Sequence, residues 1–520
     1  TLYLMDKNHH LSKKSLLLLS VLVHSSVQSC RTETETECDA APFVPGHNLV
    51  GQGFDVVRLH IKADVIDVKT YLSPSKTCKL YSNPLQNHVL QKLPSSVVDW
   101  STISQCNAHI HSRLHTSVSS RYEACAPLDT NDWSYDFLKC LESGKLEVGG
   151  THSKAYKFAT KRSKEDRYIF SIHSVTCGYY GFMLSDTPSL TLKFKKRLDL
   201  LPPHYNSSTK NEYRKLIDIY GTHYFRKVNL GGRLRRLISS RSCLSSMNGL
   251  TSNETHTCLS MGVAVGLGKT KLSSVPNSCI SVLKNQDVAT NFSSGLHQHF
   301  TEVSGGNGWL GEFSIFQNDS MGYMNWLKSL KEHPDVVSYS LRSLYHLMPN
   351  ELLKAAVKAA IEQYLKDNAL KKSPEEPHCE GSTPDLSSNC CPLHASRGTL
   401  AVSIVQGWNL YGDVIGKTDG YAKIYYGSIQ RKTQVIESNN PWWNAWFLFG
   451  KVDTSLELKI EVWDKDPKYD DLLVQCAKYL SPGTHTFTCK GKLGNVKVKY
   501  KLYCDPYLTG EKCSHYNPSP

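Results

Sequence analysis

After its first thirty residues this chain has no apolar run approaching the roughly twenty residues that a transmembrane helix requires. Entry into a bilayer through a spanning helix is therefore excluded, and any insertion must go through strands or refolding. Catalytic signatures are missing too. There is no GxSxG, no HExxH and no Cys/His pair in a recognisable nucleophile context. The stretch Gly262–Thr270 closes like a phosphate loop in Gly268-Lys269-Thr270, but its first glycine falls one residue too early for GxxxxGK[ST], so no nucleotide site is expected. The 22 histidines are scattered without ligand spacing, and no CxxC answers a second CxxC, which argues against zinc. The formal charge is +13, yet no nucleic-acid motif accompanies the basic residues. The run Lys193–Arg197 reads as a solvated face, and nucleic acid is not an expected partner. A basic protein is still drawn to anionic membrane surfaces.

Cysteine, by contrast, is plentiful: there are 17. Lys13 and Lys14 precede a short apolar run, Leu16 to Val23, followed by small residues, so residues 1–29 are expected to be a signal peptide cleaved before Cys30. Secretion and many cysteines together imply disulfides. Four sequons agree with that compartment: Asn206, Asn253, Asn291 and Asn318; Asn517 is excluded by the proline after it. The odd cysteine count leaves at least one thiol free, paired between chains, or orphaned from a lost bridge. At 520 residues the chain is too long for one ordinary core, and two to four domains are expected.

The most telling stretch is Tyr213 to Tyr224. Tyr213, Leu216, Ile217 and Tyr220 share one helical face, Gly221 suits a helix end, and Thr222, His223, Tyr224 and Phe225 open a strand predicted to run to Gly231-Gly232. Alone this is a helix-to-strand junction, and His223 is expected to be structural rather than catalytic. The string Tyr213, Tyr220-Gly221-Thr222-His223-Tyr224 nevertheless resembles the signature of the membrane-attack-complex/perforin (MACPF) family. Shorter strings in order and spacing extend the resemblance from Cys30 to about Tyr516, among them Phe43-Val-Pro-Gly46, Asn131-Asp-Trp133, Asn248-Gly-Leu-Thr251 and Tyr507-Leu-Thr-Gly510.

Residues 30–372 read as one large α+β domain. Two stretches within it have mixed character: about Gly150 to Leu184, and about Cys243 to Gly306. In the second, Leu259, Met261, Val263, Val265 and Leu267 alternate with small residues, a period of two that fits either a lipid-facing strand or a half-buried strand of a soluble sheet. Asn350 to Lys372 is predicted as a helix capped by Asn350, with an apolar stripe of Leu352, Leu353, Ala356, Val357, Ala360, Ile361 and Tyr364. Residues 373–397, with Cys379, Cys390 and Cys391, form a disulfide-tied linker. From 398 to 504 short alternating runs predict a β-sandwich of about eight strands, followed by a tail, 505–520. Local bridges Cys476–Cys489 and Cys504–Cys513 fit the spacing.

Two turns of the sandwich concentrate acid: Asp413 and Asp419 in one, Asp464, Asp466, Asp470 and Asp471 in the other. Clustered carboxylates repel one another unless a hard cation gathers them, and Ca²⁺ accepts six to eight oxygens. The turns are similar to the calcium-binding loops of a C2-type domain. That similarity implies calcium-dependent docking on phospholipid, with Tyr411, Val414 and Tyr469 at loop tips as membrane contacts. Val414, Pro467 and Leu472 depart from the family pattern, which implies weaker docking or fewer ions.

The family resemblance implies a MACPF domain with a bent central antiparallel sheet and helical clusters, an EGF-like linker, and a C2 sandwich. It implies a secreted, non-enzymatic cytolysin, released from cytolytic granules, that docks on a target-cell membrane in Ca²⁺. It then assembles as a homo-oligomeric arc or ring and unfurls segments of roughly 150–185 and 243–306 into amphipathic hairpins of a giant β-barrel. Partnership with granule proteases follows by the same implication. Gly231, Gly232, Gly305 and Gly306 are expected hinges, and Cys106–Cys177 an expected bridge. Tyr81 stands where a partner for the N-terminal cysteines would be, which accounts for the odd count. A non-lytic MACPF/C2 membrane binder is the alternative; a C2-bearing lipid enzyme is remote.

Overall fold

The computed structural model describes residues 30–115, 152–284, 295–368, 386–387 and 389–518. The expected signal peptide, most of the linker with Cys379, and Asn291 lie outside the described residues.

A small N-terminal sheet comes first, of β1 (Cys30–Thr34), β4 (Thr77–Asn83) and β5 (Val89–Lys92), with helix α1 (Glu35–Ala40) after β1. Cys38 pairs with Cys78. Cys30 is free and exposed, and stands directly across from Tyr81 on β4, the position without its cysteine.

The large domain is built on an antiparallel sheet of β2 (Gln52–Asp55), β3 (His60–Asp64), β6 (Val97–His115), β7 (Tyr168–Leu184), β8 (His223–Arg241), β9 (His297–Ser304) and β10 (Asp335–Ser343). Helices α2 (Lys154–Glu165), α3 (Leu192–Asp199), α4 (Lys210–Tyr220), α5 (Ser242–Met247), α6 (Ser252–Gly266), α7 (Asn277–Lys284), α8 (Ser320–Ser329) and α9 (Glu351–Asp367) accompany it. Strand β8 does not stop at Gly231-Gly232, as predicted, but continues to Arg241. It continues because both its edges stay paired: β7 runs along one, while on the other β10 gives way to β9. The four expected hinge glycines meet at that change of partner. A Cβ on Gly231 would lie 1.8 Å from the Cys177 carbonyl oxygen, and one on Gly305 2.4 Å from the Gly231 carbonyl oxygen, so no larger residue fits the crossing.

Helix α4 buries Tyr213, Leu216, Ile217 and Tyr220, as its periodicity requires. Gly221 ends it at φ +80°, where a Cβ would strike the Phe54 backbone. Helix α9 is capped by the Asn350 side chain, which accepts from the Leu353 N–H. Its stripe is narrower than predicted: Leu352 is 60% exposed, because the face one step before Leu353 turns away from α4 and the helical turn after β10 on which α9 packs.

Two expectations need correction. Among the described residues of 150–185, 154–165 are helical, and Tyr168–Leu184 is already a central strand paired on both edges, so that strand has nothing left to unfurl. The alternating stretch Leu259–Leu267 is not a strand of the soluble sheet. It lies in helix α6 and the turn after it.

The C-terminal sandwich has a sheet of β11 (Arg397–Trp408), β15 (Trp442–Asp453), β18 (Gly483–Gly491) and β19 (Gly494–Cys504). The other sheet contains β12 (Asp419–Tyr426), β13 (Ile429–Lys432), β14 (Ile436–Glu437), β16 (Glu457–Asp464) and β17 (Asp471–Tyr479). Leu400, Val402, Ile404, Ile424, Ile460, Val462 and Val498 fill its core. Bridges Cys476–Cys489 and Cys504–Cys513 are formed. The tail packs back on the large domain: the Tyr516 hydroxyl donates to buried Asp166, which also faces Arg241.

Candidate functional sites

The acidic turns flank β12 and β16, neighbours in one sheet, so two sequence-distant loops emerge side by side. Asp464 ends β16 and is buried; Asp413 and Asp466 lean over it, and one oxygen from each of the three lies within 4.8 Å of the others. The Asp419 backbone N–H donates to Asp464 Oδ1 at 2.7 Å. Asp464 Oδ2 is buried with no hydrogen-bond partner, a state that is costly for a carboxylate left alone. The loop leaves room around that oxygen, since a Cβ on Gly412 would lie 2.0 Å from it.

Burial raises the Asp464 carboxyl above its ordinary value, and Asp413, Asp466 and Asp419 push it further in the same direction. Asp466 is also raised, by desolvation and then by Asp413, Asp471, Asp470 and Asp419. Asp470 is different: the Tyr421 hydroxyl donates to it and lowers its pKa. Thus Asp413, Asp464 and Asp466 converge, Asp419 contributes charge and a backbone donor, and Asp470 turns to Tyr421. Asp471 starts β17 across from Asp464 with its side chain exposed. An all-oxygen, all-carboxylate donor set with a buried orphan oxygen fits a hard divalent cation.

Beyond the carboxylates, Val414 and Tyr469 are 87% and 78% exposed, and Tyr411 is exposed as well. Ile415, at 92%, is the most exposed large apolar side chain described, and sequence reasoning passed over it. Its signal was available: it sits beside Val414 in a turn otherwise made of Gly, Asp, Lys and Thr.

The second site is α6 and its neighbours. Leu259, Val263, Val265 and Leu267 are all buried. The helix lies on β7 through a reciprocal pair of contacts, His173 Nε2 to Ser260 Oγ and Ser171 Oγ to His256 Nδ1, each 2.9 Å. Ser260 Oγ is also 3.0 Å from Ser112 Oγ on β6. Cys258–Cys279 ties α6 to α7. Cys243, at the start of this segment, bonds Cys391, 148 residues away. A Cβ on Gly266 would sit 2.2 Å from the Phe313 ring, so the helix packs as closely as glycine permits.

The Tyr213–Tyr224 string forms a third cluster. Thr222 Oγ1 donates to the Phe54 carbonyl at 3.2 Å and accepts from the Val56 N–H at 3.3 Å. Its carbonyl accepts from the Leu344 N–H. His223 is buried, with Nδ1 2.9 Å from Thr222 Oγ1, and burial lowers its pKa to about 3. Neutral and enclosed, His223 braces Thr222, which ties β2 and the turn after β10 to the start of β8.

Among the sequons, Asn206, Asn253 and Asn318 are exposed. Cys106–Cys177 bridges β6 and β7.

A seven-stranded antiparallel sheet with flanking helices is thus followed by a β-sandwich whose loops gather three carboxylates. The chain belongs to the MAC/Perforin domain family, whose description matches residues 43–373, and a C2 domain matches residues 398–491. It is thus a member of a pore-forming family with a C2 membrane-binding domain. Among its relatives it is 33% identical to Perforin-1 of Homo sapiens, over 97% of this chain and 96% of that protein. Perforin-1 of Mus musculus is also 33% identical, over 94% and 93%. Complement component C6 of Bos taurus is 23% identical over 68% of this chain and 39% of its own length.

Proposed function

We propose that this is a secreted cytolysin that docks on target membranes in Ca²⁺ through its C2 loops, assembles side by side with further copies, and opens a β-barrel pore. Asp413, Asp464 and Asp466 would hold the cation, with Asp419, Asp470 and Asp471 around it. The cation would neutralise the loop and accept lipid phosphate oxygens. Tyr411, Val414, Ile415 and Tyr469 would enter the headgroup region. Gly231, Gly232, Gly305 and Gly306 would let the sheet open while the second segment, expected over 243–306 and cut back to end before strand β9 at His297, unfurls. The first unfurling segment ends before Tyr168, since β7 is already a strand.

The observation that carries this reading is α6: a sequence with strand alternation held as a helix, by contacts that a refolding segment must break. In a hairpin, Leu259, Met261, Val263, Val265 and Leu267 would face lipid and the small residues the lumen. Pairing with neighbouring copies would satisfy the backbone without open edges. The similarity to Perforin-1 extends the reading to granule secretion, killing of target cells and passage of cytotoxic proteases. Release of a dye from phosphatidylcholine liposomes tests it: leakage is expected in Ca²⁺ and not in chelator. Calcium-dependent binding without leakage would instead establish the non-lytic alternative.

A further inference from the structure

The two sheets of the C2 sandwich differ sharply in charge. Strands β11, β15, β18 and β19 carry Arg397, Lys451, Lys490, Lys497, Lys499 and Lys501 against one carboxylate, Asp453, at the far end. The other sheet mixes both signs. Register places the lysines in a column beside aromatics. Lys497, Gln406 and Trp442 form one cross-strand row; Lys499, Ser403 and Trp446 the next; Lys501, Ala401 and Leu448 the third. The middle column is small at Ser403 and Ala401, so nothing tall separates cation from ring. Lys499 and Lys501 accordingly hold their Nζ atoms 6.0 and 5.7 Å from the Trp446 ring. Trp442, Trp446 and Leu448 are all exposed. All three lie on β15, an edge strand of its sheet, and two solvent-facing tryptophans and a leucine in one line make an exposed apolar stripe that the fold itself does not bury.

This face also runs into the cation loops. Gly407 N–H donates to the Pro441 carbonyl, next to Trp442, and Tyr411 N–H donates to the Leu493 carbonyl in the β18–β19 turn. The exposed tips Tyr411, Val414 and Ile415 and the Trp442 end of the column therefore lie at the same end of the sandwich.

We propose that the outer face of this sheet is a second membrane-docking surface, which binds anionic phospholipid independently of calcium and lays the sandwich on its side. Lysines beside tryptophans match a bilayer interface: the ammonium groups meet acidic headgroups while the indoles sit at headgroup depth. Continuity with the loop tips favours a lipid surface over a separate protein partner. The proposal rests on the docking reading above and deepens it.

Vesicle pelleting of the full chain separates the two. On pure phosphatidylcholine, binding should require Ca²⁺, which reports the loops. On vesicles with one-fifth phosphatidylserine in chelator, residual binding should appear, fall with salt, and drop roughly 10- to 100-fold in Lys497→Gln/Lys499→Gln/Lys501→Gln. That variant should keep wild-type calcium-dependent binding to phosphatidylcholine, which shows that it folds. Trp446→Ser should weaken the chelator-phase binding severalfold. Equal binding of wild type and triple variant to phosphatidylserine vesicles would overturn the proposal. So would retention on heparin without any phosphatidylserine preference, which would assign the face to a sulfated glycan. Loss of calcium-dependent binding alone, with the lysine-dependent binding intact, would sink the loop reading and leave this one standing.

Discussion

Two segments of this protein share one sequence pattern and opposite structures. Leu400, Val402 and Ile404 alternate with smaller or polar residues and form the buried side of strand β11. Leu259, Val263, Val265 and Leu267 belong to the same kind of alternation and are equally buried, but within or just beyond helix α6. The difference lies in what stands beside each backbone. β11 has β15 and β19 along its two edges, so a strand satisfies every N–H and C=O. β8 and β7 pair as far as Arg241 and Tyr168, and α6, though its side chains rest on β7 and β6, has no described strand paired along its backbone. A helix bonds its own backbone and needs no neighbour. Alternation therefore states what a segment can become, and available partners decide what it is.

The largest test of that contrast is a lock. Ser112→Cys with Ser260→Cys, at hydroxyls 3.0 Å apart, should pin α6 to β6. Liposome leakage is expected to fall to background and to return on reduction, with calcium-dependent binding unchanged. Undiminished leakage from the locked, oxidised protein would show that α6 stays a helix throughout.

Next comes the cation cluster, which works without refolding. Asp464→Asn removes the buried charge and should raise the calcium needed for half-maximal vesicle binding roughly tenfold or more. Asp471→Asn, exposed and outside the converging three, should change it much less. Equal effects in calcium titrations would mean that the three-residue grouping is wrong.

The same cluster dictates a pH response. Asp464 and Asp466 have raised pKa values, so the calcium-free folded domain holds these protons more tightly than the unfolded chain does. Their contribution to stability is then favourable at low pH and lost as pH rises through the raised values. Calcium held at the proposed site would bind the charged form and reverse this. The calcium-induced rise in Tm, followed by scanning calorimetry, should be largest near pH 7 and shrink as pH falls into the carboxylate range. A rise independent of pH down to 4 would contradict the assignment.

The smallest effect concerns α9. Leu352→Ser should change stability by under about 0.5 kcal/mol because the side chain is exposed, whereas buried Ile361→Ala should cost about 2–4 kcal/mol in denaturant unfolding.

Much of this was readable in advance where chemistry is local. The α4 face, its Gly221 stop, the Asn350 cap and the short-range bridges Cys476–Cys489 and Cys504–Cys513 depend on residues near one another in sequence. Leu352 failed because a periodic stripe has edges that only the packed neighbour defines. That Asp470 accepts from Tyr421 was not legible, because the two are 49 residues apart. The exposure of Ile415 beside Val414 is set by how the loop folds, which neighbouring residue types alone do not fix.

By itself, the sequence determined capacities: which stretches can alternate, which turns hold acid, how many cysteines seek partners, and which family the chain belongs to. Only the tertiary structure decided states. It placed Leu259–Leu267 in a helix and its turn, brought three of six aspartates together, joined Cys243 to Cys391 and left Cys30 facing Tyr81. The physical reason is the same in each case. A residue's own chemistry sets what it can bond, but whether a backbone edge, a carboxylate or a thiol finds its partner depends on groups that only folding brings near.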